Sequence, residues 1–556
     1  MNELKLVLLI TIYLASDICA WSPPIGIPEP DFGIKETNMM YKGKIFAFST
    51  GAKVYPDAGN GPYTHYIDNQ HPNATDRDNP YGSVDKPRMT IPKVINEPGV
   101  VVEIHGGPYT INYSIWKMYG TKQNPIFIRG VSKESMALIQ NSTLHISGSY
   151  IIIEFLELSN VITRVRTFNG ESETHHVSIR HCESHSIDET AFQPTSDDTL
   201  KVTNNIVFYD NYIHSDLFDP QNPPPGEDDD VGIYLGKRSS YIWILDNEIC
   251  TFKGDAVGGA HGANYTAKNY FIGRNNLHTC FENALDFKEA ENIVVSQNKL
   301  HDISGLAVVH YGPKFSPKNV WFIANEFYNA TDCGIQVGGD QRHDVYIIGN
   351  IFHDIHNDSN TAMGYRTWNC EGVYLIHNVF YNVDNPIVSN VNSNRGFFVL
   401  QNCIFSNISD KGYFLTVSGA DHIKRSEISH NIFYQKTGNV RFMWSGKECS
   451  LADIKRLSGK GDSCIIGDPK FVDPNNNNFA LKNSDIEVSP GIDAGKTTAF
   501  DSLYYELFGI TLSKDFEGMP RPADGNADGI VKYDIGCYEH SGLKNNARPP
   551  NGVMVR

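Results

Sequence analysis

The sequence predicts an all-β solenoid of parallel strands with a C-terminal capping segment, and two observations carry that prediction. A short phrase recurs: an apolar strand, then Asn, then a polar or apolar residue, an apolar residue, and an aromatic or His. It is written as Asn247-Glu-Ile-Cys, Asn275-Asn-Leu-His, Asn298-Lys-Leu-His, Asn325-Glu-Phe-Tyr, Asn350-Ile-Phe-His and Asn378-Val-Phe-Tyr, with flanking copies at Asn211, Asn402 and Asn431. Successive Asn positions lie 36, 28, 23, 27, 25, 28, 24 and 29 residues apart, a period at which each repeat buries its face only against its neighbours. The units are rich in Val, Ile, Phe and Tyr, bounded by Asn, Asp and Gly, and lack a helical period or a regular Leu framework.

The second strand of each unit carries the chemistry. Aligned from the Asn phrase, residues 232–236, 256–260, 284–288, 306–310, 334–338, 362–366 and 386–390 fall in register. Side chains alternate faces along a strand. Ile233, Val257, Leu285, Ala307, Ile335, Met363 and Ile387 therefore form one core column, and Leu235, Gly259, Phe287, Val309, Val337, Tyr365 and Ser389 another. Tyr234, Gly258, Asp286, Val308, Gln336, Gly364 and Val388 form a solvent column, beside Gly236, Ala260, Lys288, His310, Gly338, Arg366 and Asn390. This register sets Lys288 next to His310 with Arg366 two coils further along. The small residues Gly258, Ala260, Gly338 and Gly364 are expected to leave room for a ligand to lie across them.

Composition bounds the rest. Hydrophobic residues at 40% and charged residues at 20% suit a folded soluble protein. With 47 Lys plus Arg against 64 Asp plus Glu, the net charge of -17 and the lack of a basic run exclude nucleic acid and anionic membrane as partners. Residues 1–20 read as a secretory signal, with an apolar run from Leu6 to Ala15 and a small-residue exit at Ala20. No membrane span is expected after its removal, and the mature product is expected to be secreted, extracellular or periplasmic, and monomeric. Cys449 and Cys464 could close a loop there, while Cys250, Cys280, Cys333, Cys370 and Cys403 fall within coils as small buried residues.

In chain order, residues 21–65 read as an extended N-terminal segment. Residues 66–446 hold the coils, 447–545 a cap for the last coil, and 546–556 a tail. The text Val100-Val-Val-Glu-Ile-His-Gly-Gly-Pro-Tyr, followed by Asn124-Pro-Ile-Phe-Ile-Arg-Gly130, resembles the opening coils of secreted right-handed parallel β-helix proteins of the pectate-lyase-like superfamily. Ser489-Pro-Gly-Ile-Asp-Ala-Gly495 and Tyr533-Asp-Ile-Gly-Cys-Tyr-Glu539 resemble a closing segment common in such proteins. The resemblance implies action on an acidic polysaccharide. The Asn, Glu and Arg signature of chondroitinase B-like alginate lyases and the paired-Asp motifs of polygalacturonases are not found.

β-Elimination at a uronic acid needs a neutralised carboxylate and a base within reach. Lys288 is the expected base, His310 its partner or the acid to the leaving oxygen, and Arg366 the carboxylate binder. Tyr234, Tyr311, Gln336 and Asn390 are expected to contact the sugar. An insertion between Asp216 and Val231 ends in Glu227-Asp-Asp-Asp230, and Asp230, Asp255 and Asp286 are the expected oxygen ligands of a Ca²⁺ ion, with Glu282 beside them. Asp524-Gly-Asn-Ala-Asp-Gly529 starts like a calcium loop but places Ile535 at its twelfth position. Two alternatives stand beside the lyase: a glycoside hydrolase using Asp286 with Asp255 or Glu282, and a non-catalytic carbohydrate-binding or adhesive solenoid.

Overall fold

The structure, a computed structural model, describes residues 21–36, 63–217, 230–263, 266–309, 316–338, 344–368, 370, 372–390, 396–419, 421–484, 486–498 and 500–542. Each coil is three strands long. Asn283–Phe287, Ala290–Ser296 and Lys299–His301 make one turn, and Gly305–Val309, Lys318–Ile323 and Glu326–Tyr328 the next. Every strand of the first turn pairs in parallel with its counterpart in the second. Repeated along the chain, this gives a right-handed parallel β-helix with three sheets around one continuous apolar core.

The recurring Asn explains why the chain turns where it does. The residue before each one is left-handed: Asp246, Arg274, Gln297, Ala324 and His377 have φ between +52 and +60°. Such a conformation costs about 1–2 kcal/mol per non-Gly residue. The following Asn offsets it by hydrogen bonding along the axis. The amide N–H and Nδ2 of Asn298 both donate to Oδ1 of Asn325 at 2.9 Å, while Asn325 does the same to Asn350. Inside this turn a second ladder stacks Phe327, Phe352, Phe380, Phe405 and Phe433, with centroids 4.5–5.2 Å apart. Each such ring pair contributes about 0.5–1.5 kcal/mol beyond its burial.

Two expectations change here. The ladder does not pass through Asn402: Asn378 donates to Cys403 Sγ, and Cys403 N donates to Asn431 Oδ1, while Asn402 occupies the left-handed position. Cys182 opens the ladder and Cys464 receives Asn431 at its far end. A thiol works there because it is small and accepts and donates weakly, Cys403 Sγ donating to Leu375 O at 3.4 Å. Cys449 and Cys464 are free thiols and close no loop.

The C-terminal part is also more than an end cap. Helix Leu451–Ser458 buries Ile454 in the core cluster of the coils beside strand Phe442–Trp444. The chain then folds back along the flank. Phe471, Phe479, Ile492, Ile535 and Cys537 pack on the outward-facing Ile351, Val379, Ile404 and Ile432 of four successive coils. Helix Asp501–Phe508 sets Tyr504 against Trp321.

Residues 21–36 form a strap across the outer face of the sheet that holds Trp321. Ser296 Oγ donates to Ile25 O, Trp243 Nε1 to Pro28 O and Arg180 to Gly33 O, so the strap runs backwards across the coils. Tyr504 Oη donates to Gly26 O and ties the strap to the C-terminal helix. Among the described residues no helix is long and apolar enough to cross a membrane. Residues 1–20, read as a signal, and the tail 546–556 lie outside the described residues.

Candidate functional site

The face expected to carry chemistry is the outer face of the sheet that contains Val231–Leu235, Val257–Gly259, Asn283–Phe287, Gly305–Val309, Cys333–Gly338, Met363–Trp368 and Asn385–Asn390. The first five strands keep the expected register: Tyr234 opposes Gly258, Gly258 opposes Asp286, Asp286 opposes Val308, and Val308 opposes Gln336. At the next coil the register is displaced by two residues. Gln336 opposes Arg366 rather than Gly364, and Arg366 opposes Val388, while Trp368 opposes Gly338 and Asn390.

Arg366 therefore stands in the column of Asp286, not in that of Lys288. The displacement is even, so Arg366 still faces outward. Tyr365 and Thr367 take the inward places expected for Met363 and Tyr365.

The glycines do not leave an empty floor, because the chain's own side chains fill the space. A methyl at Gly258 would meet Asp255 Oδ2 at 2.5 Å, one at Gly338 would overlap the Trp368 indole, and one at Gly364 would meet the Phe380 ring. Ala260, expected in the solvent column, has φ +62° just past the strand and is buried in the core.

Around Gly258 the structure gathers the titratable cluster. Lys288 Nζ lies 2.7 Å from Asp286 Oδ2. Asp255 Oδ1 accepts from Asn283 Nδ2 at 2.9 Å. Asp255 and Asp286 are both buried, and Asp286 Oδ1 has no hydrogen-bond partner. Burial, then the charge of Asp286, pushes the Asp255 carboxyl up to about 8, so it holds its proton at neutral pH. Burial works against the charge of Lys288, but the charge of Asp286 and the hydrogen bond to it outweigh burial and raise its pKa. The ion pair favours the charged form of Lys288, and a base must first lose that proton.

Arg366 is engaged differently. It pairs with Asp332 through both terminal nitrogens, at 3.2 and 2.9 Å, and hydrogen bonds Gln336. Its coil is three strand spacings from that of Lys288, about 14 Å.

Tyr234 is partly buried and lies within electrostatic reach of Lys288, while Asn390 is exposed at the end of its strand. His310 and Tyr311 lie outside the described residues, as do Glu227, Asp228 and Asp229. Asp230 is buried with Oδ1 unpartnered, and burial raises its pKa. Among the described residues no group of three or more His, Cys, Asp or Glu side chains is placed to hold a metal ion. The trio Asp230, Asp255 and Asp286 is therefore no preformed cage, and Lys288 already occupies one oxygen of Asp286.

Sequence reasoning missed that the same face extends four strands towards the N-terminus. Phe192 opposes Ile233, and the next residue along, Gln193, opposes Arg164, which opposes His145. The face thus continues from Tyr234 to a pair of arginines, Arg164 and Arg166. Their strand, Leu156–Thr167, lies before the Asn phrase begins, so no repeat register reached it.

No protein-family profile matches the chain, and no curated protein sequence is significantly similar to it. Solved structures do resemble it. The complex of XylC with xylose is 11% identical, with 85% of this chain and 98% of that chain covered and a TM-score of 0.42. Pectate lyase Pel9A is 12% identical over 89% of this chain and 98% of that one, with a TM-score of 0.34. A mannuronic acid-specific polysaccharide family 6 lyase from human gut microbiota is 14% identical over 68% and 88%, with a TM-score of 0.36. The fold itself rests on the ladder registers given above.

Proposed function

We propose that the protein is a secreted enzyme that degrades an acidic polysaccharide, a lyase cleaving a uronate-containing chain by β-elimination. The observation that carries this reading is Lys288, held as a cation by Asp286 beside a protonated, buried Asp255 on an outward sheet face. Elimination needs the uronate carboxylate neutralised before the adjacent proton is taken. Lys288 has the charge and position for that task, which the sequence assigned to Arg366. Arg366, about 14 Å away, is proposed to contact a different sugar of the same chain. Proton transfer is then proposed for Tyr234, within electrostatic reach of Lys288, or for His310, which the sequence register sets beside it. Calcium is left out of the proposal, because a protonated Asp255 and an Asp286 already paired with Lys288 do not fit a Ca²⁺ ligand set.

A glycoside hydrolase is the second reading, favoured by one observation: Asp255 keeps its proton while Asp286 is ion-paired, as an acid and its partner carboxylate do. The test incubates the protein with a panel of uronate polysaccharides, with Ca²⁺ or with chelator, and follows the ultraviolet absorbance of unsaturated product. A rise abolished by Lys288→Ala supports the lyase. New reducing ends without absorbance transfer the reaction to Asp255 and Asp286. Neither signal on any polymer rejects both and leaves a binding solenoid.

A further inference from the structure

We propose that Arg164, Arg166 and His145 form a second anion-binding subsite on the same sheet face, which takes an acidic group of the polysaccharide four coils from Lys288. This rests on the polysaccharide reading above and does not depend on whether the chain is cut.

Strands Leu156–Thr167, Thr190–Ser196, Val231–Leu235, Val257–Gly259 and Asn283–Phe287 are consecutive neighbours in one sheet. Four strand spacings separate Arg164 from Asp286, about 19 Å along the axis. A polysaccharide lying along the axis advances about one sugar per coil, so both sites can grip one chain.

The cluster has the features of an anion site. Arg164 and Arg166 leave the strand on the same face, two residues apart. Arg164 Nε donates to the amide oxygen of Gln193 at 3.0 Å, so that contact spends none of its charge. Arg166 Nε donates to Asp197 at 2.7 Å, and its guanidinium lies 5.2 Å from the Phe168 ring. His145, opposite Arg164 on the adjacent strand, is buried, with Arg166 Nη1 at 3.4 Å from its Nδ1 and its Nε2 without a hydrogen-bond partner.

The imidazole reports the local field. Burial, then the charges of Arg166 and Arg164, push its pKa down to about 4 despite Asp197. Of the charges that act on it, those of the two arginines rank ahead of that of Asp197, in a chain whose net charge is -17. Beside the imidazole, the Tyr113 ring is 60% exposed at 4.9 Å, a platform for a sugar face. Lys117, paired with Glu171 at 2.6 Å, lies 6.0 Å from the Phe168 ring.

The experiment measures binding, not turnover. Retardation of the full chain is followed in gels containing polygalacturonate or alginate, and in gels containing their methyl-esterified, uncharged forms. The wild type is expected to be retarded by at least one charged polymer and by neither ester. Arg164→Gln/Arg166→Gln is expected to lose about tenfold or more in affinity, with a smaller dependence on salt. Gln193→Glu, which removes no arginine and sets a carboxylate against Arg164, is expected to weaken binding in the same direction and guards against misfolding of the double variant.

Equal affinity of both variants and the wild type overturns the proposal, as does retardation by the esters as strong as by the acids. Polymer bound by the wild type and lost in the arginine variants, with no cleavage by any form, rejects the lyase while this subsite stands. Cleavage abolished by Lys288→Ala with unchanged binding by the arginine variants does the reverse.

Discussion

Asn325→Ala tests what holds the coils in register. Asn325 is fully buried; its Oδ1 accepts from the backbone and side-chain nitrogens of Asn298, and its Nδ2 donates to Val295 O and to Asn350 Oδ1, all at 2.9 Å. Alanine removes these four bonds and leaves the Asn298 N–H and one Nδ2 hydrogen without partners in a dry interior. At about 1–3 kcal/mol per orphaned group, with a further loss at the two acceptors, the cost is about 3–5 kcal/mol. The left-handed residue before it, Ala324 at φ +52°, loses the contact that offsets its strain.

A surface ladder supplies the control. Asn319 Nδ2 donates to Asn292 Oδ1 at 2.9 Å but is only partly buried, so water replaces the bond. Its own φ of +52° leaves Asn319→Ala a cost of about 1–2 kcal/mol. Asn325→Cys should fall between Asn325→Ala and the wild type, since Cys403 holds the same position three coils along. The assay is the urea midpoint of the full chain at unchanged slope. An Asn325→Ala midpoint equal to that of Asn319→Ala, or an Asn325→Cys midpoint below that of Asn325→Ala, would show that the axial amide bonds do not set the stability of the turn.

Other consequences follow from buried charge. Asp255 has its pKa raised to about 8 by burial and Asp286, so folding favours its protonated form. The stability it contributes is complete below its unfolded pKa of about 4 and is lost as pH rises through about 8; Asp255→Asn should flatten the fall in thermal midpoint between pH 5 and 9, and an unchanged profile counts against the shift. Asp534, buried and pushed up to about 7 by burial and Glu539, predicts the same sign, with the loss running from about pH 4 and complete near pH 7, and Asp534→Asn scans should flatten that fall. Arg180 is fully buried, donates from Nε to Glu154 at 2.9 Å, and holds Gly33 O and Ile34 O of the strap. Arg180→Ala should cost about 3–5 kcal/mol and open residues 25–36 to protease, and resistance equal to the wild type would mean the strap is held elsewhere.

The sequence made the coil legible because its signal is local and repeated: an Asn, the left-handed residue before it and the Phe after it sit within a few residues of one another. It misplaced the ladder at Asn402 because an adjacent Asn and Cys fit the pattern equally well on paper, and only the axial bond to Asn378 distinguishes them. The outward face survived a register displaced by two residues at Arg366, since an even slip preserves the side of the sheet. What slipped was the partner, and with it the chemistry. Lys288 no longer shares a column with Arg366, and it gained Asp286, a contact two residues away in sequence that alternation alone permitted but did not demand.

The glycines misled for a non-local reason. Their missing Cβ is used by Asp255, Trp368 and Phe380, residues of the same or adjacent coils whose rotamers no pattern encodes. A small residue in a solvent column thus marks close approach, and whether the approaching group is a ligand or the chain itself is decided only by packing. By that criterion Gly258 is informative after all: what it admits is the protonated carboxyl of Asp255, set beside Asp286 and Lys288, and room made for an ionisable group at a surface strand is harder to explain by stability than room made for an indole.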